Sequence, residues 1–258
     1  MSRQNQRIKT IRRLRRCKGD HAILEGPHLL EEALLTDLQL DEILATSDFM
    51  QTAVGRRLEK LTPKRPLLVS DGLLDELADA DSPRGILAVG RLPRGGSETI
   101  PVEPDSVLVL AEGIQDPGNL GALARTVEAV GGDALALTPG SVHPNHPRAL
   151  RASAGSLLRL PTAVDVTLGE LRQRLGPETT RALALAAHGG EDLYEVEASG
   201  TLVLLVGAEG PGLSDEMLSA VDQRVTIPLQ GRVESLNTAV AAAVALFEIR
   251  RRRRGDGS

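Results

Sequence analysis

Three short segments rich in glycine and polar residues follow apolar runs of the chain. They are EGIQDPGN (112–119), GAEGPG (207–212) and QGRVESLN (230–237). The first follows SVLVLA, the second follows TLVLLV, and the third comes shortly after VTIP. Continuous apolar runs of this kind are typical of buried parallel strands. Because parallel sheets bind ligands at the carboxyl ends of their strands, we expect the three segments to meet in one site.

A lone cation, Arg125, lies on the helix predicted after the first segment. Asn119 is predicted to cap this helix, and Gly131 is predicted to end it. Residues spaced by three and four predict its buried stripe: Leu120, Leu123, Val127 and Val130. Arg125 falls off that stripe, among small residues. Either it is a solvated helix residue, or its guanidinium hangs toward Asn119, because Cα–Cβ bonds tilt toward the helix N-terminus.

Each of these features also has a simpler explanation when it is taken alone. GAEGPG lacks the glycine spacing of the dinucleotide fingerprint and could be only a tight turn. Ser235 could cap the last helix, and Asn237 could be a satisfied polar residue near its start. His143 and His146 have an H-x-x-H spacing, but they lie in a proline-rich loop, and no metal site is predicted.

The composition excludes several classes of protein. Hydrophobic residues make up 41 % of the 258 residues and aromatic residues only 1 %, so the core must be aliphatic. Aromatic stacking on single-stranded nucleic acid is therefore not available. A single cysteine, Cys17, excludes a disulfide within the chain. The chain has no apolar run of about 18 residues and no secretion signal, so we expect a cytoplasmic protein without membrane association.

Positive charge is concentrated near the two ends of the chain. Residues 1–18 contain eight of the 30 basic residues and 250–254 contain five more, whereas 34 of the 35 acidic residues lie between these segments. This segregation favours a nucleic acid partner held by the ends, although two solubilising termini would give the same pattern.

Strands and helices alternate in two parts of the chain. The boundaries predicted from this pattern are a smaller α/β domain at 1–95, a Pro/Gly-rich linker at 96–104 and a larger α/β domain at 105–258. Alternation in the larger domain predicts a mostly parallel sheet covered by helices on both faces.

The order of three motifs resembles the SpoU (TrmH) family of RNA 2′-O-ribose methyltransferases. The motifs are DPGNLGALARTVEAVGG, LVGAEGPGLSDEM and IPLQGRVESLNTAVAAAVALFE, and the resemblance covers about residues 105–250. RASAGSLLRLP is also similar to that family. The basic start and ILEGPHLLEEAL resemble the N-terminal substrate-binding domain of the family, whose fold is like that of ribosomal protein L30e.

The resemblance implies a fold and a cofactor that the alternation does not predict. The C-terminal segment of the parallel-sheet domain would thread a deep trefoil knot of the SPOUT type. S-adenosylmethionine would be held bent in this knot, mainly by backbone groups. Gly207 and Gly210 would let the backbone approach the cofactor, and Ile227, Leu229 and Leu236 would wall its adenine.

The resemblance also implies methyl transfer to a ribose 2′-hydroxyl. Arg125 would be either the base that accepts the hydroxyl proton or a clamp on the RNA phosphate and the developing alkoxide. A guanidinium is a poor base because it holds its proton strongly, whereas a clamp needs no deprotonation. The residues that would orient Arg125 and the ribose are Asn119, Glu209, Ser235 and Asn237.

The expected partners are RNA and a second copy of the chain. The arginines predicted to bind RNA are Arg12, Arg13, Arg15, Arg16, Arg148 and Arg151. In the family the active site forms at or beside a dimer interface, which implies a homodimer through the C-terminal domain. The additional N-terminal domain favours ribosomal RNA, 23S above all, over tRNA. A tRNA methyltransferase and a non-catalytic RNA-binding or ribosome-assembly protein are the alternatives.

Overall fold

A computed structural model describes residues 6–14, 19–36, 38–79 and 84–255. Contacts divide the chain into two units: the first unit is 1–94 with 143–159, and the second unit is 95–142 with 160–258. Arg15 and Arg16, two of the predicted RNA contacts, lie outside the described residues.

The helices and strands alternate along most of the chain. The α-helices are α1 Gln6–Leu14, α2 Pro27–Leu34, α3 Ser47–Gln51, α4 Ala53–Leu61, α5 Asp71–Leu77, α6 Pro117–Ala129, α7 Pro147–Ala152, α8 Ser156–Arg159, α9 Leu168–Leu175, α10 Asp215–Ala220 and α11 Thr238–Gly255. The strands are β1 His21–Glu25, β2 Gln39–Thr46, β3 Leu67–Val69, β4 Ile86–Arg91, β5 Val107–Ala111, β6 Ala134–Leu137, β7 Thr162–Ala163, β8 Thr180–Leu185, β9 Glu191–Asp192, β10 Thr201–Val206 and β11 Gln223–Thr226.

Among the described residues, each unit contains one sheet. The sheet of the first unit has the order β1-β4-β2-β3, in which β4 is antiparallel to both neighbours. The sheet of the second unit has the order β7-β6-β5-β10-β8-β11-β9, and all its neighbouring strands are parallel. The expectation of an α/β fold with a parallel sheet is therefore confirmed.

The central strands of the second unit bring its loops to one edge. Every residue of β5 and β10 is buried, as their continuous apolar sequences predicted. Val206 pairs with Ala111, and Leu205 pairs with Ala184. Because these pairs lie at the carboxyl ends of three parallel strands, the loops after β5, β8 and β10 leave the sheet side by side.

The basic helix α1 is part of the core of the first unit. Ile8 and Ile11 are 0 % and 2 % exposed and belong to that core. Arg12 forms an ion pair with Glu76 at 2.5 Å, and Arg13 is exposed. Residues 6–14 are therefore a folded part of the first unit that keeps exposed cations such as Arg13.

Two boundaries differ from those that local patterns predicted. DFMQTAVGRRLEKL was predicted as one helix, but Thr52 is extended (φ −73°, ψ 160°) and separates α3 from α4. The Thr52 hydroxyl accepts a hydrogen bond from the Gly55 N–H at 3.0 Å and so starts α4 as an N-cap. In the predicted linker, Ile100 is 1 % exposed in the core of the second unit.

Residues 143–159 were predicted in the larger domain but are grouped with the first unit. Polar contacts explain this placement. The buried Asn145 donates to the carbonyls of Gly19 and Leu92 at 3.0 and 2.7 Å, and its Oδ1 accepts from Arg94 Nε at 2.9 Å. Burial lowers the pKa of Arg94 to about 10. Contacts between residues so distant in sequence leave no local pattern.

Candidate functional site

The first turn of α6 presents the side chain of Asn119. Asn119 was predicted as the N-cap, but Asp116 has that position: its carboxylate accepts a hydrogen bond from the Asn119 N–H at 3.0 Å. Pro117 is the first helical residue, where its missing N–H costs nothing. The helix ends as predicted, with Gly131 at φ +73° after the C-cap Val130. The Asn119 side chain is therefore not used in capping.

Asn119 connects the other two segments. Its Nδ2 donates a hydrogen bond to the Glu209 carboxylate, and its Oδ1 accepts one from Asn237 Nδ2 at 3.0 Å. Asn237 Oδ1 accepts in turn from the N–H groups of Ala239 and Val240 at 3.0 and 3.3 Å, which caps α11. The three polar segments thus meet, as expected from the sequence.

The loop after β10 is a tight turn that also lines a site. Gly212 N–H donates to the Ala208 carbonyl at 3.0 Å, and Gly210 and Gly212 have φ of +85° and +73°. A Cβ on Gly207 would lie 2.1 Å from the Gly212 carbonyl carbon and 2.3 Å from Leu213 N. The backbone of the loop itself therefore requires glycine at 207. The expected reason was different, namely that glycine lets the backbone approach the cofactor.

A cavity of about 310 Å³ lies among these loops. It is lined by the five residues predicted to hold the cofactor, namely Gly207, Gly210, Ile227, Leu229 and Leu236. Three of the predicted catalytic residues line it too: Glu209, Ser235 and Asn237. Sequence reasoning missed its other lining residues, which are Leu185, Ala186, Ala187, Val206, Ala208, Gly212, Thr238 and Ala241. The position of residues 185–187 at the carboxyl end of β8 was the signal that could have found them.

Ser235 and Arg125 lie outside the hydrogen-bonded group formed by Asn119, Glu209 and Asn237. Ser235 is exposed and does not cap α11, which begins at Thr238 and is capped by Asn237. Arg125 is exposed on α6 and does not line the cavity. Six residues after Asn119, it lies about 9 Å along the helix and about 120° around it. It forms no hydrogen bond or ion pair with the part of the chain that the structure describes.

The arginines predicted to bind RNA have different environments in the first unit. Arg151 forms ion pairs with the buried Glu25 and, at 3.2 Å, with Asp79. Arg12 is paired with Glu76, as described above. Arg13 and Arg148 are exposed. Ion pairs with carboxylates of the first unit therefore engage Arg12 and Arg151.

The arginines near the end of α11 contact the second unit itself. Arg251 and Arg252 bind the Glu248 carboxylate with Nε–Oε distances of 2.8 Å. Hydrogen bonds from Arg251, followed by those from Arg252, lower the pKa of Glu248 to about 2 against the opposing effect of burial. Arg253 donates to the carbonyls of Ala198, Asp105 and Gly200, and burial lowers its pKa. These cations stabilise the helix end.

The H-x-x-H loop has a backbone role. His143 Nδ1 accepts from the Asn145 N–H, and His146 Nδ1 accepts from the Arg148 N–H, both at 3.1 Å. Within the described ranges, no three His, Cys, Asp or Glu side chains are grouped to hold a metal ion. None of the helices in those ranges is long and apolar enough to cross a membrane.

A parallel α/β sheet with a cavity at the carboxyl ends of its strands defines the class of ligand-binding α/β domains. The model of the SpoU rRNA Methylase family matches residues 106–247 of this chain. The model of an MRM3-like substrate binding domain matches residues 5–88. The chain belongs to the SpoU rRNA methylase family.

Relatives of similar length support this membership. The chain is 31 % identical over 253 residues to the 23S rRNA (guanosine(2553)-2′-O)-methyltransferase RlmP of Bacillus subtilis. The matched region covers 96 % of this chain and 98 % of RlmP. An uncharacterized tRNA/rRNA methyltransferase of Synechocystis sp. is 33 % identical, with 97 % and 92 % covered. The crystal structure of the SpoU methyltransferase AviRb from Streptomyces viridochromogenes, in complex with AdoMet, superposes with a TM-score of 0.89 at 25 % identity, covering 97 % and 99 %.

Proposed function

We propose that this chain transfers a methyl group from S-adenosylmethionine to a ribose 2′-hydroxyl of ribosomal RNA, with 23S rRNA as the first candidate. The observation that carries the proposal is the cavity of the second unit. Two of its lining residues, Glu209 and Asn237, form hydrogen bonds with Asn119, and these bonds join the three loops. RlmP, a relative along nearly its whole length, is named for this reaction on 23S rRNA.

The residues of the cavity fit the cofactor. Its volume of about 310 Å³ lies at the lower end of the usual range for small-molecule sites. Ile227, Leu229 and Leu236 supply apolar walls suited to an adenine, and the loop 207–210 supplies backbone groups. When bound, S-adenosylmethionine supplies a methyl group that is already activated on a sulfonium. The protein must therefore mainly place the ribose in line with it, and positioning of this kind accounts for up to about 7–11 kcal/mol of a barrier.

We assign the RNA side of the reaction to Arg125, Asn119, Glu209, Ser235 and Asn237. The guanidinium of Arg125 would clamp a phosphate and stabilise the ribose oxygen while the hydroxyl proton passes to solvent water. Glu209 and Asn237 line the cavity and are hydrogen-bonded to Asn119, which supports a role for them in orienting the ribose. This assignment leaves the Arg125 guanidinium protonated throughout.

We further propose that the active unit is a homodimer formed through the second unit. Arg125 is exposed and does not line the cavity of its own chain, which supports an action at the cavity of a partner. α11 packs against α6 and exposes Val240 and Phe247, which are 51 % and 56 % accessible, and these side chains would be buried in a dimer. The first unit would bind the RNA as an L30e-like domain, and the segment from β11 through α11 would be the knotted one.

Ribose-methylation mapping tests this function. Ribosomal RNA and tRNA from a deletion strain are compared with RNA from a strain that carries the gene again. We expect one 2′-O-methyl group to be lost from ribosomal RNA and restored on complementation, but not by an Asn119→Ala gene. Loss of a 2′-O-methyl group from tRNA alone would identify tRNA as the substrate. An unchanged map, with no binding of S-adenosylmethionine by the purified protein, would favour the non-catalytic alternative.

A further inference from the structure

The loop between β10 and α10, residues 207–214, is held at both ends by one residue that follows β5. The Glu112 N–H donates to the Val206 carbonyl at 2.8 Å, at the beginning of the loop. The Glu112 carboxylate accepts from Ser214 N–H at 2.8 Å and from Ser214 Oγ at 2.7 Å, at its end. Backbone and side chain of Glu112 together therefore fix the span of the loop.

The loop that Glu112 holds also forms part of the cavity wall. Gly207, Ala208, Glu209 and Gly210 all line the cavity. Ser214 is also the N-cap of α10, where its Oγ accepts from Met217 N–H at 3.1 Å. A carboxylate that binds both the N–H and the hydroxyl of this cap sets the position at which the loop must end.

We propose that Glu112 is a positioning residue for the cofactor: it holds the loop 207–214 in its binding conformation before the cofactor arrives. A loop that is ordered in advance binds more tightly, because its conformational entropy has already been lost. Glu112 does not line the cavity, so it acts through the loop and not by contact. The inference rests on the proposed function, because it assumes that this cavity binds S-adenosylmethionine.

Calorimetric titration of the purified full chain with S-adenosylmethionine tests the inference. Binding by the wild-type chain is the test of the proposed function itself. Given that binding, we expect Glu112→Ala to raise the Kd about tenfold, the effect of losing hydrogen bonds to a charged group. Glu112→Gln should recover most of the affinity, because its Oε1 accepts from Ser214 N–H while its Nε2 donates to Ser214 Oγ.

Two further variants distinguish positioning from a general structural role. Glu216→Ala is the matched control, because it removes an exposed carboxylate from the first turn of the same α10. It should leave the Kd within about twofold of wild type, a change below that of one hydrogen bond. The effects of Glu112→Ala and Ser214→Ala on the Kd should be less than additive in the double variant, because the two side chains are in direct contact.

The melting temperature without cofactor provides the second measurement. We expect Glu112→Ala to melt within about 2 °C of Glu216→Ala, since the core of the second unit is unaffected. Wild-type affinity in Glu112→Ala would overturn the inference. So would a loss of affinity that Glu112→Gln does not recover, or one that follows the melting temperature across the whole set of variants.

Discussion

At the scale of single residues, Arg125 and Asn119 divide the site into two parts. Asn119 is engaged at the cavity by Glu209 and Asn237. Arg125 is exposed on the same helix and has no hydrogen bond or ion pair among the described residues. A cation without such a partner among these residues is available for an anion, which in the proposed reaction is an RNA phosphate.

We expect Arg125→Ala to lower the methyl-transfer rate at least about 100-fold, the usual effect of removing one stabilising donor from a transition state. The Kd for S-adenosylmethionine should stay within about twofold of wild type, because Arg125 does not line the cavity. Arg125→Lys should also be strongly impaired, because an ammonium lacks the bidentate fork. Single-turnover assays and cofactor titrations measure both quantities. A lysine variant with wild-type turnover would contradict the requirement for a guanidinium.

Two glycines form a matched pair for testing the cavity. Gly210 and Gly140 both have φ of +85°, and at both positions a Cβ would meet no atom within 4 Å. Only Gly210 lines the cavity. We expect Gly210→Ala and Gly140→Ala to lose similar stability, about 1 kcal/mol each from backbone strain. Only Gly210→Ala should weaken cofactor binding in calorimetry.

Equal affinity in the Gly210→Ala and Gly140→Ala variants would mean that no ligand comes near Gly210. Gly207 is less suited to this test, because a Cβ there would lie 2.1 Å from the Gly212 carbonyl carbon. A substitution at 207 thus disturbs the loop whether or not a cofactor binds. The close approach of its own backbone could not be read from the glycine spacing of GAEGPG.

At the scale of elements, α11 is held at both ends. Thr238 Oγ1 donates to the Gly207 carbonyl at 3.1 Å, beside the cavity. At the other end Arg253 donates to the carbonyls of Ala198 and Gly200, which precede β10. The helix therefore spans β10 from its carboxyl end to its amino end, and its stability bears on the cavity.

Glu248 gives α11 a stability that depends on pH. Its folded pKa of about 2 is below the unfolded value of 4.5, so the stabilisation is complete above pH 4.5 and is lost as the pH falls through 2. We expect Glu248→Gln to lower the free energy of unfolding by about 1 kcal/mol at pH 7, the sum of two helical ion pairs. The difference from wild type should shrink between pH 4.5 and 2 in urea denaturation.

The exposed Glu103 provides the control for this experiment, since Glu103→Gln removes a carboxylate with no such ion pair. The stability of that variant should differ from wild type by less than about 0.5 kcal/mol at every pH. A Glu248→Gln variant whose deficit persists at pH 2 would show that packing, and not charge, is responsible.

Local patterns predicted the elements better than their boundaries. The stripe of α6 is buried as predicted, with Leu120 and Val127 both 0 % exposed, because burial follows helical periodicity. The N-cap was misplaced from Asp116 to Asn119, since both residue types cap helices and Pro117 decides between them. The place of Arg125 outside the cavity depends on packing in three dimensions, which no spacing encodes.

At the scale of the whole molecule, basic residues are concentrated near the two ends of the chain. One of these basic segments includes α1, whose apolar residues belong to the core of the first unit. Deleting residues 1–18 would remove Ile8 and Ile11 from that core together with the charges. Substitution of exposed cations is the cleaner test of RNA binding. Lys9 and Arg13 are exposed on α1 and suit this purpose.

We expect Lys9→Gln/Arg13→Gln to weaken RNA binding and to reduce the slope of log affinity against log salt by about one to two, because fewer counterions are released. Cofactor affinity should not change. Filter binding across a salt series measures the slope. As a control, Lys60→Gln/Arg65→Gln removes the same charge from and just beyond α4. An unchanged slope in the α1 variant, or an equal change in the control, would place RNA binding elsewhere.

The first unit consists of two stretches of chain, 1–94 and 143–159, with residues 95–142 of the second unit between them. Glu25 is only 5 % exposed, and its guanidinium partner, Arg151, arrives with the later stretch. During synthesis, the four strands of the first unit emerge from the ribosome before residues 143–159. The first unit therefore cannot be completed until that later stretch has also emerged. A nascent chain stalled before residue 143 would lack the Arg151 guanidinium that pairs with Glu25, and a single protease cut after residue 94 would not release an intact first unit.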